Sequence, residues 1–148
     1  EAIPIIYNCL NRTVDEKELL NITTNNYGLY SEDDLDLIFK SDLSGRSGMY
    51  RKGKIFQHTF NVKSITLDTY FKNYHKPITF IKIDVEGSEF EVLKGATDLI
   101  KKHKPSIIVE IWKSPTKIQK LHKWLTEMNY TIEEKVNAND YLLVPNQV

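Results

Sequence analysis

Several residue types and patterns that mark particular classes of protein are scarce in this sequence. Its 148 residues include a single cysteine, Cys9, which excludes an internal disulfide and favours a reducing, cytoplasmic compartment. No apolar run approaches the roughly 20 residues of a transmembrane helix, and the first residues lack the charged-then-apolar pattern of a secretion signal. We therefore expect a soluble protein with no membrane partner.

Patterns typical of charged or metal-bound partners are also missing. Lys plus Arg and Asp plus Glu both number 20, so no nucleic-acid partner is expected. The histidines lack zinc-ligand spacing, and no metal site is predicted; they are His58, His75, His103 and His122. None of the six glycines forms a G-x-G turn between a strand and a helix, so no cofactor loop of that type is visible.

The N-terminal half combines one clear helical pattern with shorter segments. Apolar residues at three- and four-residue steps predict a helix from Ile3 to about Asp15. Stretches rich in β-branched and aromatic residues predict three strands, at residues 19–30, 35–40 and 55–62. Residues 31–34 favour a turn, residues 41–53 an irregular loop with three glycines, and residues 66–74 a short helix.

The C-terminal half alternates strands and helices. The predicted order is strand, helix, strand, helix and hairpin, at residues 78–85, 88–102, 106–112, 116–128, and 131–136 with 141–144. Residues 78–85 are almost continuously apolar, which is typical of a central strand covered on both faces, and Ser88 with Glu91 has capping-box spacing. We predict one α/β domain over residues 1–148, with a mostly parallel sheet and a closing antiparallel hairpin.

Carboxylates finish the two apolar strands of this predicted sheet. Asp84, Glu86 and Glu110 lie where open α/β sheets bind ligands, outside the carboxyl ends of the strands. Lys82 is expected to pair with Glu110 or Asp84, and Lys82→Met to destabilise by about a few kcal/mol. Gly87 is expected to turn the chain tightly into the next helix. A structural ion-pair network and a catalytic site both fit this pattern.

A longer block around Asp84 resembles a known family. Residues 80–96, FIKIDVEGSEFEVLKGA, are similar without a gap to the signature block of FkbM-type methyltransferases. Residues 65–70 and 107–111 resemble the family segments on either side of that block. Residues 1–4 resemble its acidic turn after the second strand, and residues 26–31 resemble its third strand.

The resemblance implies a Rossmann-like class I methyltransferase sheet. It implies transfer of a methyl group from S-adenosylmethionine to a hydroxyl of a sugar or polyketide-like acceptor, so the expected partner is a small molecule or glycan. Glu1 is implied to bind the cofactor ribose, and Asn26 to form a wall near the adenine. Asp84 is implied to lie between cofactor and acceptor, where it or Glu86 orients or deprotonates the hydroxyl.

The sequence departs from the family pattern at its N-terminus. Family members place a glycine-rich turn ahead of the acidic turn at which this sequence begins, so we expect an N-terminally truncated domain with weak cofactor binding. A non-catalytic remnant that uses the fold for binding therefore stays an alternative. A receiver domain phosphorylated at Asp84 is another, although no acidic pair precedes it in a strand. The oligomeric state stays open.

Overall fold

The structure is a computed structural model that describes residues 1–41, 47–49, 58–112 and 114–146. Its helices are α1 (Pro4–Glu16), α2 (Leu67–Tyr70), α3 (Glu89–Lys94), α4 (Thr97–His103) and α5 (Pro115–Met128). Its strands are β1 (Gly28–Leu29), β2 (Asp36–Ser41), β3 (Ser47–Met49), β4 (His58–Ile65), β5 (Phe80–Ile83), β6 (Ser106–Glu110), β7 (Tyr130–Lys135) and β8 (Asp140–Pro145). None of the described helices has the length and apolarity needed to cross a membrane.

The strands form two mixed four-stranded sheets, in the orders β1-β4-β2-β3 and β5-β6-β8-β7. Strands β5 and β6 are parallel neighbours, as predicted for residues 78–85 and 106–112, and β7 and β8 form the predicted hairpin. The expectation of one mostly parallel sheet is wrong, because only β1–β4 and β5–β6 pair in parallel among the described strands. Parallel pairing needs a long crossover, which α3 and α4 supply between β5 and β6, whereas β7 and β8 are joined by a short turn.

Local predictions in the N-terminal half have mixed outcomes. Helix α1, the turn at 31–34 and strand β2 are confirmed. The predicted strand over 19–30 is wrong except at Gly28–Leu29: the chain turns after α1, and the side chain of Leu20 is 97% exposed, so no core surface holds this segment as a strand. Within the predicted loop, Ser47–Met49 instead pairs with β2 as β3, and residues 42–46 and 50–53 lie outside the described residues.

Two further segments differ in their limits from the prediction. Strand β4 extends to Ile65, past the predicted end at residue 62, and the predicted residues 55–57 lie outside the described part of the chain. Helix α2 covers only Leu67–Tyr70 of the predicted 66–74. Thr66 accepts a hydrogen bond from the backbone N–H of Thr69 and so caps α2, which fixes where this helix begins.

The helix predicted over 88–102 is broken into α3 and α4 at Gly95. A Cβ atom added to Gly95 would lie 2.1 Å from the carbonyl oxygen of Tyr30, so the two backbones approach closely there. The Asp68 carboxylate accepts hydrogen bonds from the backbone N–H groups of Asp98 (3.1 Å) and Leu99 (2.8 Å), which caps α4 from another element. Tertiary contacts with Tyr30, which follows β1, and with Asp68 in α2 therefore end one helix and begin the next.

The predicted capping box at the start of α3 is also wrong. The Ser88 side chain makes no capping hydrogen bond, and the backbone N–H of Glu91 donates to the Ser88 carbonyl oxygen instead. Helix α5, predicted over 116–128, begins at Pro115, where the Ser114 hydroxyl accepts a hydrogen bond from the backbone N–H of Lys117 at 3.2 Å.

The main hydrophobic core lies between the second sheet and its helices. Its fully buried side chains include Leu93, Ile100, Ile107, Val109, Ile111, Leu121 and Leu143. Strand β5 is not the buried central strand that its apolar sequence predicts. It pairs with β6 and with no other described strand, so Phe80 is 53% exposed and Ile83 alone in this strand is buried. The site residues that follow β5 therefore lie at an edge of the sheet.

Candidate functional site

A cleft of about 420 Å³ lies where the N-terminal residues, β1 and the turn after β5 meet. Its polar lining includes Glu1, Asp84, Glu86 and Ser88. Its apolar lining includes Leu10, Tyr27, Leu29 and Phe39. This volume is in the range of small-molecule sites, and the mixture of apolar walls with a few polar groups is typical of them.

The turn between β5 and α3 presents the central carboxylates. Glu86 has φ 54° and Gly87 has φ 117°, so two successive residues take left-handed backbone conformations. Gly87 adopts this conformation without steric cost, as predicted, whereas a non-glycine residue there is strained. Strain of this kind is common at functional sites. The turn carries Asp84 and Glu86 to the cleft, where both line its wall.

Three carboxylates gather at the ends of β5 and β6. One oxygen from each of Asp84, Glu86 and Glu110 lies within 4.8 Å of the others. Partial burial of Glu110, followed by the neighbouring negative charge of Asp84, raises the pKa of the Glu110 carboxyl above its ordinary value. The group offers oxygen ligands of the kind that hard cations prefer, but exposed carboxylates often cluster without an ion, and we assign no metal to it.

The predicted ion pair of Lys82 is present. Its Nζ atom lies 2.8 Å from Oδ2 of Asp84, and this hydrogen bond raises the pKa of Lys82. The side chains are 56% and 48% exposed, so the expected loss of a few kcal/mol on removing Lys82 does not follow. That expectation assumed burial in an apolar strand, whereas an exposed pair contributes at most about 1 kcal/mol.

The N-terminal residues form the opposite wall of the cleft. Oε1 of Glu1 accepts a hydrogen bond from the backbone N–H of Ile3 at 2.7 Å, which fixes this carboxylate at the start of α1. Asn26 donates to the carbonyl oxygens of Glu1 (3.1 Å) and Ala2 (2.9 Å). Asn26 thus holds the wall in place, while the next residue, Tyr27, lines the cleft directly. The cofactor roles predicted for Glu1, Asn26 and Asp84 stay predictions.

Sequence reasoning did not assign a role to Glu89, which lies beside this turn. The side chain of Glu89 is completely buried. Its Oε1 atom accepts a hydrogen bond from the backbone N–H of Gly87 at 2.5 Å, and its Oε2 atom lies 3.0 Å from Nζ of Lys117. The signal was present in the helical spacing, because Glu89 occupies the same face as the buried Val92 and Leu93. A carboxylate on a buried helical face needs a partner from another element.

The cleft lies at the carboxyl end of β5, and open α/β sheets bind their ligands outside the carboxyl ends of their strands. Residues 3–132 match the family described as methyltransferase FkbM domain, and this chain therefore belongs to that family. The block around Asp84 that carried the sequence resemblance lies within the matched range.

The fold of the chain is also similar to that of a solved structure. The chain is similar to the crystal structure of methyltransferase FkbM from Methylobacillus flagellatus KT, with 22% sequence identity and a TM-score of 0.58. The similarity covers 97% of this chain and 34% of that protein, so this chain spans about a third of its length. At this identity the likeness shows a common fold. No curated protein matches the chain.

Proposed function

We propose that this chain is the catalytic part of an S-adenosylmethionine-dependent O-methyltransferase that acts on a hydroxyl of a sugar or polyketide-like small molecule. The observation that carries the proposal is a single cleft lined by Glu1, Asp84 and Glu86. The resemblance of the sequence to the FkbM family implied cofactor and acceptor roles for these residues, which come from distant parts of the chain. Membership of the FkbM methyltransferase domain family supports the type of reaction.

The cleft fits the nucleoside part of the methyl donor. The Glu1 carboxylate, already held by the Ile3 N–H, is suited to accept hydrogen bonds from ribose hydroxyls. The aromatic rings of Tyr27 and Phe39 provide apolar surface for an adenine ring. When bound, the donor supplies an activated methyl group on a positively charged sulfur, which the carboxylates of the cleft attract.

The amino-acid end of the donor has weaker support in the described residues. The glycine turn after β5 has the backbone N–H of Gly87, which could bind the carboxylate at this end of the donor. This N–H already donates a hydrogen bond to Glu89. The described residues contain no glycine-rich turn between a strand and a helix that would offer further amides. The cleft therefore fits the ribose and adenine better than the carboxypropyl end, and we expect weak binding.

The acceptor hydroxyl would be handled by the strand-end carboxylates. Asp84 accepts a hydrogen bond from the hydroxyl and takes its proton as the oxygen gains the methyl group. Glu86, held on the same turn, orients the acceptor, and Glu110 adds a third carboxylate beside them at the end of β6. Lys82 balances part of that charge at Asp84 without entering the reaction.

A methyl-transfer assay with Asp84→Asn tests this proposal. We expect transfer from radiolabelled S-adenosylmethionine at several millimolar to monosaccharides and their methyl glycosides. The variant should reduce the rate of transfer by about 100-fold or more while changing donor affinity by less than about threefold. Glu127→Gln on the exposed surface of α5, which also replaces a carboxylate with an amide, is the matched control. Equal losses of rate and affinity would make Asp84 a residue of the cofactor pocket.

One observation favours a second candidate, a non-catalytic binding domain with a methyltransferase-like fold. The Gly87 amide, which would be a natural contact for a ligand above the turn, is already bonded within the protein. Binding of the donor without transfer to any of these hydroxyl acceptors would favour this second candidate over the enzyme.

A further inference from the structure

Glu89 is a buried ionisable residue for which the proposed reaction has no direct use. Its carboxylate is completely inaccessible and does not line the cleft. A buried carboxylate is strongly unfavourable unless positive charge and hydrogen bonds compensate it, so the partners of Glu89 indicate its role. Those partners are a backbone amide in the cleft turn and the ammonium group of a residue in α5.

The first partner controls the conformation of the turn. The Gly87 N–H that donates to Glu89 belongs to the peptide group joining Gly87 to Glu86. Both of these residues have positive φ values. Such values are unfavourable for Glu86, whereas Gly87 has no side chain and can therefore adopt several other conformations as well. The hydrogen bond to a charged acceptor therefore selects one orientation of this peptide. That orientation sets the direction in which Glu86 leaves the backbone.

The second partner ties the turn to the following crossover. Lys117 lies in the first turn of α5, where its own backbone N–H is fixed by the Ser114 cap. Its ammonium group lies 3.0 Å from Oε2 of Glu89, and the Lys117 side chain is 25% exposed. The pair thus joins the turn after β5 to the helix after β6. Both connections begin at the carboxyl ends of β5 and β6, where the carboxylates of Asp84, Glu86 and Glu110 gather.

We propose that Glu89 is a positioning residue, which, neutralised by Lys117, holds the Glu86–Gly87 peptide so that Asp84 and Glu86 face the cleft. The chemical consequence for these two carboxylates rests on the proposed function. The placement of the turn by Glu89 does not rest on the proposed function, because it can be measured on the amide of Gly87 without any substrate.

Two double variants isolate the oxygen that binds the turn. Both carry Lys117→Met, which removes the countercharge of Glu89, and they differ only in Glu89→Gln or Glu89→Met. Replacing a buried ion pair by uncharged residues of similar volume is commonly tolerated, so both should fold. The Gln side chain retains an oxygen that can accept from Gly87, whereas the Met side chain cannot. The exposed pair Lys123 and Glu127 in α5 provides matched controls, Lys123→Met with Glu127→Gln or Glu127→Met.

Amide hydrogen exchange of Gly87 is the first measurement. The Gly87 amide should be protected in the unaltered chain and in the Gln variant, and should exchange on the order of tenfold faster in the Met variant relative to the amides of Val92 and Leu93. Equal Gly87 exchange in the two variants would overturn the proposal. If the Met variant does not fold, rapid Gly87 exchange in the unaltered chain or in the Gln variant overturns it equally well.

The kinetic constants of methyl transfer are the second measurement. The Met variant should lower kcat by about tenfold or more with less than about a threefold change in KM for S-adenosylmethionine, and the Gln variant should restore most of the rate. A Met variant with exposed Gly87 but unchanged kcat would contradict the positioning role. If no variant and not even the unaltered chain transfers a methyl group, the exchange data still decide the role of Glu89 in the turn, and the proposed function alone fails.

Discussion

Removing the negative charge of Glu110 should stabilise the protein. Glu110 shares its surroundings with the carboxylates of Asp84 and Glu86, all within 4.8 Å, and burial with the charge of Asp84 raises its pKa. Glu110→Gln keeps a side-chain oxygen that can still accept the hydrogen bond from Trp112. The substitution therefore removes repulsion and retains the local hydrogen bond, and the gain in stability measures the electrostatic cost of the site.

The size of the gain follows from the distances. Two unit charges separated by 4.8 Å repel each other by about 0.9 kcal/mol at the dielectric constant of water, the appropriate limit for the exposed Asp84 and Glu86. Glu110 faces both of them, while its loss also removes a favourable interaction with Lys82. We expect Glu110→Gln to raise the free energy of unfolding by about 1 kcal/mol at pH 7 and low salt.

The stability difference between Glu110→Gln and the unaltered chain should depend on pH. A carboxyl whose pKa is raised on folding destabilises the native state once pH rises above its unfolded value, here 4.5, and the full cost is reached above its folded pKa. The advantage of the variant should therefore be absent below about pH 4 and grow as pH rises towards neutrality. Salt at about 1 M shortens the screening length to about 3 Å, so it should remove most of the difference.

Urea unfolding followed by far-UV circular dichroism measures this difference. The unaltered chain and Glu110→Gln are compared at pH 7 and pH 4, each at low and high salt, with Glu133→Gln on the exposed β7 as the control. The control should change stability by less than about 0.5 kcal/mol under all conditions. A Glu110→Gln variant that is less stable at pH 7, or whose difference is the same at both pH values, would refute the repulsion argument.

Two further substitutions test contacts on which the site depends. Lys82→Met should lower the free energy of unfolding by less than about 1 kcal/mol, because its partner Asp84 is half exposed; a loss of several kcal/mol in urea unfolding would show that the pair is buried. Gly95→Ala should lower the free energy of unfolding by about 2 kcal/mol or more, because its Cβ would collide with the Tyr30 carbonyl oxygen, although alanine is the better helix former. Lys94→Ala is the exposed control. A Gly95→Ala variant that is more stable in the same assay would disprove the contact.

Elements with strong local signals could be predicted from the sequence. Helix α5 has both a periodic apolar face and the Ser114 cap, and the hairpin of β7 and β8 has alternating residues around a polar turn. The break between α3 and α4 could not be predicted, because it depends on the backbone of Tyr30 approaching Gly95. The exposure of β5 was missed for a similar reason: an apolar run does not show whether a strand has one neighbour or two.

Some residues of the candidate site could likewise be predicted from the sequence, and others could not. The position of Asp84 and Glu86 beside a ligand cleft could be predicted, since strand ends and a glycine turn are visible in the sequence. The part played by Asn26 in holding the N-terminal wall depends on contacts with residues 24 and 25 positions away. The buried pair of Glu89 and Lys117 spans 28 positions, and only its helical face was visible in the sequence.

Binding of S-adenosylmethionine, followed by amide chemical shifts of the isotope-labelled chain, tests the central claim most directly. We predict weak binding, with Kd on the order of millimolar or higher, which corresponds to no more than about 4 kcal/mol. The shifts should concentrate at the cleft amides of Ala2, Gly28 and Glu86, and Glu1→Gln should weaken them while Glu16→Gln at the other end of α1 does not. Micromolar affinity, or shifts that avoid the cleft at tens of millimolar donor, would contradict this account of the cofactor site.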